Sequence, residues 1–149
     1  MHLSSNVKNL FFIRHGQTDF NKTKRFMGSL DIPLNKHGIS QILEILPLLQ
    51  QQSISAIYTS PLTRALQTAS IISYFLELPL FVVANLQERN FGLMEGKRKP
   101  HYQKRFFPKG EAPHIFKNRT LQSLKEIKHD KSLIVAHSGT FKILLNFRT

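Results

Sequence analysis

The chain of 149 residues contains no cysteine and no tryptophan. Without cysteine there is no disulfide framework, no thiolate zinc site and no cysteine nucleophile. Acidic residues are scarce. Nine Asp and Glu stand against 21 Lys and Arg, which gives a formal net charge of +12 and a pI near 10.3. Such an excess favours an anionic partner and leaves a nucleic acid, an acidic membrane surface and a small phosphorylated compound all open. Long hydrophobic runs are missing as well. The longest mostly apolar stretch, residues 71–84, is interrupted by Ser73, Glu77 and Pro79. It falls short of the roughly 20 residues that a bilayer-spanning helix needs. Residues 1–8 hold no apolar run of signal-peptide length. No internal repeat or low-complexity tract is present. The expectation is a soluble, cytoplasmic protein with no membrane partner.

What is there suffices for one domain over residues 1–149: 41% of the residues are hydrophobic, enough for a single compact core. Residues 7–13 are mostly apolar and read as a buried strand ending at Arg14-His15-Gly16. Residues 34–51 carry Ile39, Ile42, Leu43, Leu46 and Leu49 at helical spacing, with Pro47 expected to kink or shorten the helix. Residues 54–59 form a second strand candidate. Ser60 and Pro61 read as N-cap and first residue of a helix with the apolar face Leu62, Ala65, Leu66, Ala69, Ile72 and Leu76, broken by Ser73. Residues 80–84 are a third strand, led in by Pro79. Residues 120–128 look like the end of an amphipathic helix, 133–136 are a fourth strand, and 141–147 a final helix. Strands alternating with helices predict an α/β fold with a mainly parallel sheet. Residues 97–110 differ: Lys97, Arg98, Lys99, Lys104, Arg105 and Lys109 occur without an acid, interleaved with Tyr102, Phe106 and Phe107. Pro100 and Pro108 argue against one long helix, so this segment reads as a basic surface insertion.

Three loops after predicted strands carry groups suited to a phosphate: Arg14-His15-Gly16-Gln17-Thr18, Thr59-Ser60-Pro61-Leu62-Thr63-Arg64 and His137-Ser138-Gly139. Ligands of open α/β sheets bind beyond the carboxyl ends of the strands, where these loops can converge. Arg14 and Arg64 offer planar guanidinium forks for phosphate oxygens. A helix start near Gly16 or Ser138 would add backbone donors. A fourth loop, residues 86–92, supplies the carboxylate of Glu88. A neutral imidazole can attack phosphorus, fixed positive charge can stabilise the equatorial oxygens, and a carboxylic acid can protonate the leaving oxygen. Each residue alone is ordinary, since a lone His after a strand usually caps or faces solvent; their joint occurrence carries the reading. His2, His37, His101, His114 and His129 are left as structural or surface residues. No zinc spacing of the H-E-x-x-H kind occurs, so neither a metal nor another cofactor is expected.

Arg14-His15-Gly16-Gln17-Thr18 followed by Asn21 resembles the signature of the histidine phosphatase superfamily, the phosphoglycerate mutase-like proteins. The resemblance continues in order through residues 25–34 with Gly38 and Gln41, then 59–69, 86–96, 108–111 with Phe116 and Arg119, and 134–139. It covers about residues 7–147. It implies a three-layer α/β/α sandwich with a short cap insertion. It also implies metal-independent hydrolysis of a small phosphomonoester through a phosphohistidine. His15 would be the nucleophile, with Arg14, Arg64 and His137 completing the phosphate pocket and Glu88 acting as proton donor and then general base. Asn21, Gly28, Gln17, Thr18, Ser138 and Lys99 would lie near the substrate or the transferred phosphate, with Gln17 standing where many members have Glu.

The family includes hydrolases and mutases. Ser138-Gly139 after His137, where mutases typically carry Gly-Asn, leans toward hydrolysis. So do Phe20 in place of a tryptophan and the shorter insertion after Gly96. Lys99 falls where a mutase-like substrate lysine would, which keeps phosphoglycerate mutase-type transfer as the alternative. Members usually continue beyond the helix after the second histidine. The sheet is therefore expected to have a shortened end with an open edge, which a naturally short chain, a truncated one or a homodimer would each explain. From another class, a non-catalytic protein binding phospho-ligands or nucleic acid is an alternative. The aromatics of residues 102–107 would suit stacking on single strands. No helix-turn-helix, RNP or KH pattern supports nucleic acid as the partner.

Overall fold

In the computed structural model, which describes residues 9–102 and 106–147, four strands form one sheet in the order β1-β4-β2-β3, every neighbouring pair parallel. The elements run β1 (Leu10–Arg14), α1 (Asp19–Lys22), α2 (Lys36–Gln50), β2 (Ala56–Thr59), α3 (Thr63–Leu76), β3 (Leu80–Val82), α4 (Pro113–Ser123), β4 (Ser132–Ala136) and α5 (Ser138–Asn146). Short 3-10 turns at Ala84–Leu86 and Gly92–Met94 lie between β3 and α4.

The two central strands, β2 and β4, are buried along their whole length. Their side chains alternate between two apolar layers, as the period of two in a strand requires. Ile57, Leu133 and Val135 point to one face and meet Ile42 and Leu49 of α2 and Ala65, Ala69 and Ile72 of α3. Ala56, Tyr58, Ile134 and Ala136 point to the other and meet Leu86, Ile127, Leu124 and Leu144. Helices on both faces of a parallel sheet make the expected three layers. β1 pairs only with β4 among the described residues, so its outer edge carries no further strand.

Several local expectations change. Pro47 does not interrupt α2, which runs on to Gln50 with Pro47 in its last turn. The buried stripe of α2 is also narrower than its apolar pattern: Ile42 and Leu49 are buried, whereas Ile39 and Leu43 are about two-fifths exposed, at 41% and 44%. Helix α3 starts at Thr63, not Pro61, with Leu62 at the N-cap and no side-chain cap of its own. Asp31 supplies the cap instead: the Thr63 N–H donates to Oδ1 at 2.6 Å and the Thr63 hydroxyl to Oδ2 at 2.8 Å. Ser60 Oγ lies before the helix, where it accepts from the Leu62 N–H and contacts His137 Nε2. Helix α4 closes at Ser123, so residues 124–128 are not its end but a turn that places Ile127 in the core.

The basic insertion is tied down at its start. Arg25 and Arg98 form an antiparallel bridge, and the Phe107 ring lies 5.5 Å from Phe26 and 4.6 Å from Phe91. Tyr102 and Phe106 are exposed. Lys104 and Arg105 lie outside the described residues.

Candidate active site

The carboxyl ends of β1, β2 and β4 lie side by side in the sheet, so the loops that follow them converge. The β1 loop is locked to the start of α2 by two glycines. A Cβ on Gly16 would lie 2.6 Å from the Gly38 carbonyl oxygen, and one on Gly38 would strike the Gln17 backbone. That close approach fixes where His15 sits.

His15 is buried, and its Nδ1 lies 2.7 Å from the Gly16 carbonyl oxygen. A carbonyl only accepts, so Nδ1 carries the proton and Nε2 keeps its lone pair. Arg64 Nε–H donates to that Nε2 at 3.3 Å. Burial lowers the His15 pKa to about 3, with the Arg64 and Arg14 charges pushing the same way and the Gly16 contact opposing. The ring is therefore neutral at physiological pH.

Arg64 is fully buried near the start of α3. Its fork is partly committed to backbone: Nη1 donates to the Leu30 carbonyl at 2.7 Å and Nη2 to the Gly28 carbonyl at 2.8 Å. Two of its five N–H groups remain for a ligand. Burial lowers its pKa to about 10, so it stays cationic at neutral pH. Gly28, with φ +52, makes the turn that presents its carbonyl; a Cβ there would strike Glu95.

His137 is fully buried, its ring 5.3 Å from that of His15. Its Nε2 lies 2.8 Å from Ser60 Oγ. Ser60 Oγ also accepts from the Leu62 N–H at 3.3 Å. His137 Nδ1 is buried without a hydrogen-bond partner among the described residues. Burial holds the His137 pKa well below the ordinary value, with Arg64 and His15 adding to the effect.

Glu88 is nearly buried. Its Oε1 accepts from the Arg89 N–H at 2.9 Å and its Oε2 from the Gly139 N–H at 3.2 Å. A Cβ at Gly139 would press on this carboxylate, so the glycine lets Glu88 lie directly against the start of α5. Arg119 braces the Glu88 loop. It donates to the carbonyls of Gln87 at 2.7 Å and Glu88 at 3.1 Å while ion-paired with Glu111 at 2.6 Å.

These groups border two adjoining cavities. The smaller, about 280 Å³, is walled by Arg14, His15, Met27, Gly28, Arg64, Glu88, Phe91, Lys99, Ser138, Gly139 and Lys142. The larger, about 600 Å³, shares Arg14, His15 and Lys99 and adds Gln17, Asn21, Lys24, Gln41, Pro100 and His101. Of the residues expected at the site, Arg14, His15, Arg64, Glu88, Gly28, Ser138 and Lys99 meet at the smaller cavity. Gln17 and Asn21 face the larger one. His137 lies behind His15, outside both walls. Thr18 does not reach either: its hydroxyl bonds Asn21 Oδ1 at 3.0 Å and Met27 Sδ at 3.1 Å, capping α1. Among the described residues no group of three or more His, Asp or Glu is placed to hold a metal ion.

Comparison with known proteins decides the family. The model for the histidine phosphatase superfamily (branch 1) matches residues 10–147. The chain belongs to the histidine phosphatase superfamily. It is 35% identical over 141 residues to the "Uncharacterized phosphatase PhoE" of Bacillus subtilis (strain 168), covering 89% of this chain and 73% of that one. It is 26% identical over 186 residues to the 2,3-bisphosphoglycerate-dependent phosphoglycerate mutase of Chlamydia pneumoniae, covering 91% and 82%. The crystal structure of TTHB049 from Thermus thermophilus superposes with a TM-score of 0.75 at 28% identity, covering 92% of this chain and 82% of that one. A histidine phosphatase fold therefore carries the site, and its substrate is a small phosphorylated compound.

Sequence reasoning missed Lys142 and Lys24, and His101, expected to be a structural or surface residue, lines the larger cavity. Lys142 follows Ser138 by one helical turn, so helix periodicity from Ser138 would have pointed to it. Lys24 lies between Asn21 and Gly28 and carried no recognisable pattern.

Proposed function

We propose that the chain is a phosphatase that hydrolyses a phosphomonoester through a phosphohistidine on His15. The observation that carries this is the neutral His15 ring, with its Nε2 lone pair free of a proton, in a cavity that also holds Arg14, Arg64 and Glu88. His15 Nε2 attacks phosphorus and the ester P–O bond breaks. The acid form of Glu88 gives its proton to the leaving oxygen. Water then attacks the phosphorus of the phosphohistidine, its proton passes to Glu88, the P–N bond breaks and inorganic phosphate leaves. Arg14 and Arg64 hold the equatorial oxygens throughout. His137, held neutral by burial, packs against His15 and fixes where that ring sits.

Transfer back to substrate, as in a mutase, has one observation in its favour: Lys99 lies in the wall of both cavities. Hydrolysis is favoured because Arg14 and Lys99 are exposed, so water reaches the site. Hydrolysis of p-nitrophenyl phosphate in the presence of a chelator tests the reading. His15→Ala should reduce the rate to background, and Glu88→Gln should slow it by about 10²–10⁴-fold. Equal rates for wild type and His15→Ala would overturn it. Stimulation by a bisphosphate, with phosphoryl appearing on a second acceptor, would favour the mutase.

A further inference from the structure

Two loops set the groups that grip the phosphate and protonate the leaving oxygen. Residues 27–30 present the Gly28 and Leu30 carbonyls that anchor Arg64. Residues 87–91 carry Glu88. The two loops meet on a single oxygen. Oε1 of Glu95, just after the 3-10 turn at Gly92–Met94, accepts from the Ser29 N–H at 2.7 Å, the Ser29 hydroxyl at 2.9 Å and the Phe91 N–H at 3.0 Å. Three donors on one atom suit a carboxylate, whose charge strengthens each bond. Gly28 leaves room for that oxygen, because a Cβ there would press on it.

The junction continues around Glu88. Asn90 Nδ2 donates to Ser29 Oγ at 2.7 Å. The Glu111 N–H donates to the Asn90 carbonyl at 2.9 Å, and the Asn90 N–H donates to Glu111 Oε2 at 3.3 Å. Glu111 in turn holds Arg119, which donates to the Gln87 and Glu88 carbonyls. A hydrogen-bonded path thus runs from the loop that anchors Arg64 to the backbone of Glu88. Burial lowers the Arg64 pKa, and the Glu95 carboxylate opposes it together with Glu88 and Asp31. Glu95 is not among the described residues that wall either cavity, so it acts on the reaction through the groups it holds.

We propose that Glu95 is a positioning residue that couples the grip of Arg64 on the phosphoryl group to the aim of the Glu88 proton at the leaving oxygen. The proposal rests on the phosphatase reading and adds to it a residue that touches neither substrate nor phosphate.

Two esters with leaving groups of different basicity test it. p-Nitrophenolate departs with little help, whereas the alkoxide of n-butyl phosphate needs the Glu88 proton. Their ratio in kcat/KM therefore reads proton donation, and a loss of folded protein lowers both values together without moving the ratio. Glu95→Ala should raise the ratio of nitrophenyl to butyl ester by about tenfold, a typical coupling between residues of one hydrogen-bond network. Glu95→Gln, whose amide oxygen can accept the same bonds, should recover most of the wild-type ratio. In a Glu88→Gln background Glu95→Ala should leave the ratio unchanged, because the acid it aims is gone. Ser29→Ala is milder and should shift the ratio in the same direction, which keeps the test open if Glu95→Ala does not fold. Calorimetric binding of inorganic phosphate reads the Arg64 side without turnover. Glu95→Ala should weaken it by about tenfold and Glu95→Gln should not; loss of a negative charge by itself would tighten it. An ester ratio unchanged in Glu95→Ala and Ser29→Ala, an equal shift in the Glu88→Gln background, or phosphate binding that Glu95→Ala leaves unchanged or tightens would each overturn the coupling. A chain that turns over neither ester, yet binds phosphate about tenfold more weakly in Glu95→Ala, would contradict the phosphatase reading and leave the setting of Arg64 by Glu95 supported.

Discussion

His15 and His137 are neutral for the same reason: burial beside fixed positive charge disfavours a protonated ring. That state suits a nucleophile and makes stability depend on pH. The unfolded chain protonates each ring near its ordinary pKa of about 6.5, whereas folded His15 protonates only near pH 3. Between those values the unfolded state binds more protons, so stability is fully present above about pH 6.5 and falls as pH falls. The slope is about 1.4 kcal/mol per pH unit for His15 in that window, and His137 adds to the decline in the same direction. Urea denaturation at neutral and mildly acid pH should show this decline, and His15→Gln should flatten it. An unchanged slope in that variant would show that His15 does not titrate as described. Ser60 acts through His137. Ser60→Ala removes the hydroxyl that hydrogen-bonds His137 Nε2, and should lower kcat by about tenfold, the loss expected for one buried hydrogen bond. Ser60→Thr should recover most of the rate. Equal rates for Ser60→Ala and wild type would show that the contact does not position the ring.

The elements show what was legible in the sequence and what was not. All four strands follow from short apolar runs; for the central β2 and β4 the reason is that a parallel strand covered on both faces must be apolar along its length, whereas the edge strands β1 and β3 are apolar but only partly buried. Arg14, His15 and Glu88 stood out because Arg14 ends β1, His15 follows it directly and Glu88 lies just after the 3-10 turn at Ala84–Leu86. The start of α3 was not. Ser60-Pro61 has the pattern of a helix start, but Ser60 is engaged by His137 and the cap comes from Asp31, 32 residues earlier in the chain. A contact so distant leaves no local trace. Asp31→Ala should cost about 1 kcal/mol of stability, the usual value of an N-cap, measured by thermal or urea unfolding. No loss would mean that another group caps Thr63. The same limit hid Lys24, which meets Lys99 only because Arg25 and Arg98 form an antiparallel bridge. Thr18 shows the converse: its place in the motif pointed to the ligand, and its hydroxyl instead holds α1 in place.

Over the whole molecule, part of the charge of +12 gathers at the two adjoining cavities. Arg14, Arg64 and Lys142 face the smaller cavity beside His15. Lys24 and Lys99 line the larger one. Both cavities lie at the carboxyl edge of the sheet, where the strand order leaves β1, β4 and β2 adjacent and their loops together. The chemistry of the site therefore rests on His15. The most direct measurement is mass spectrometry of the protein quenched in alkali during turnover of p-nitrophenyl phosphate, conditions that preserve a P–N bond. The account predicts one phosphoryl group on the peptide containing His15, lost on brief acid treatment and absent from His15→Ala. Phosphate released at the wild-type rate by His15→Ala, or a phosphoryl group carried on another residue, would contradict it.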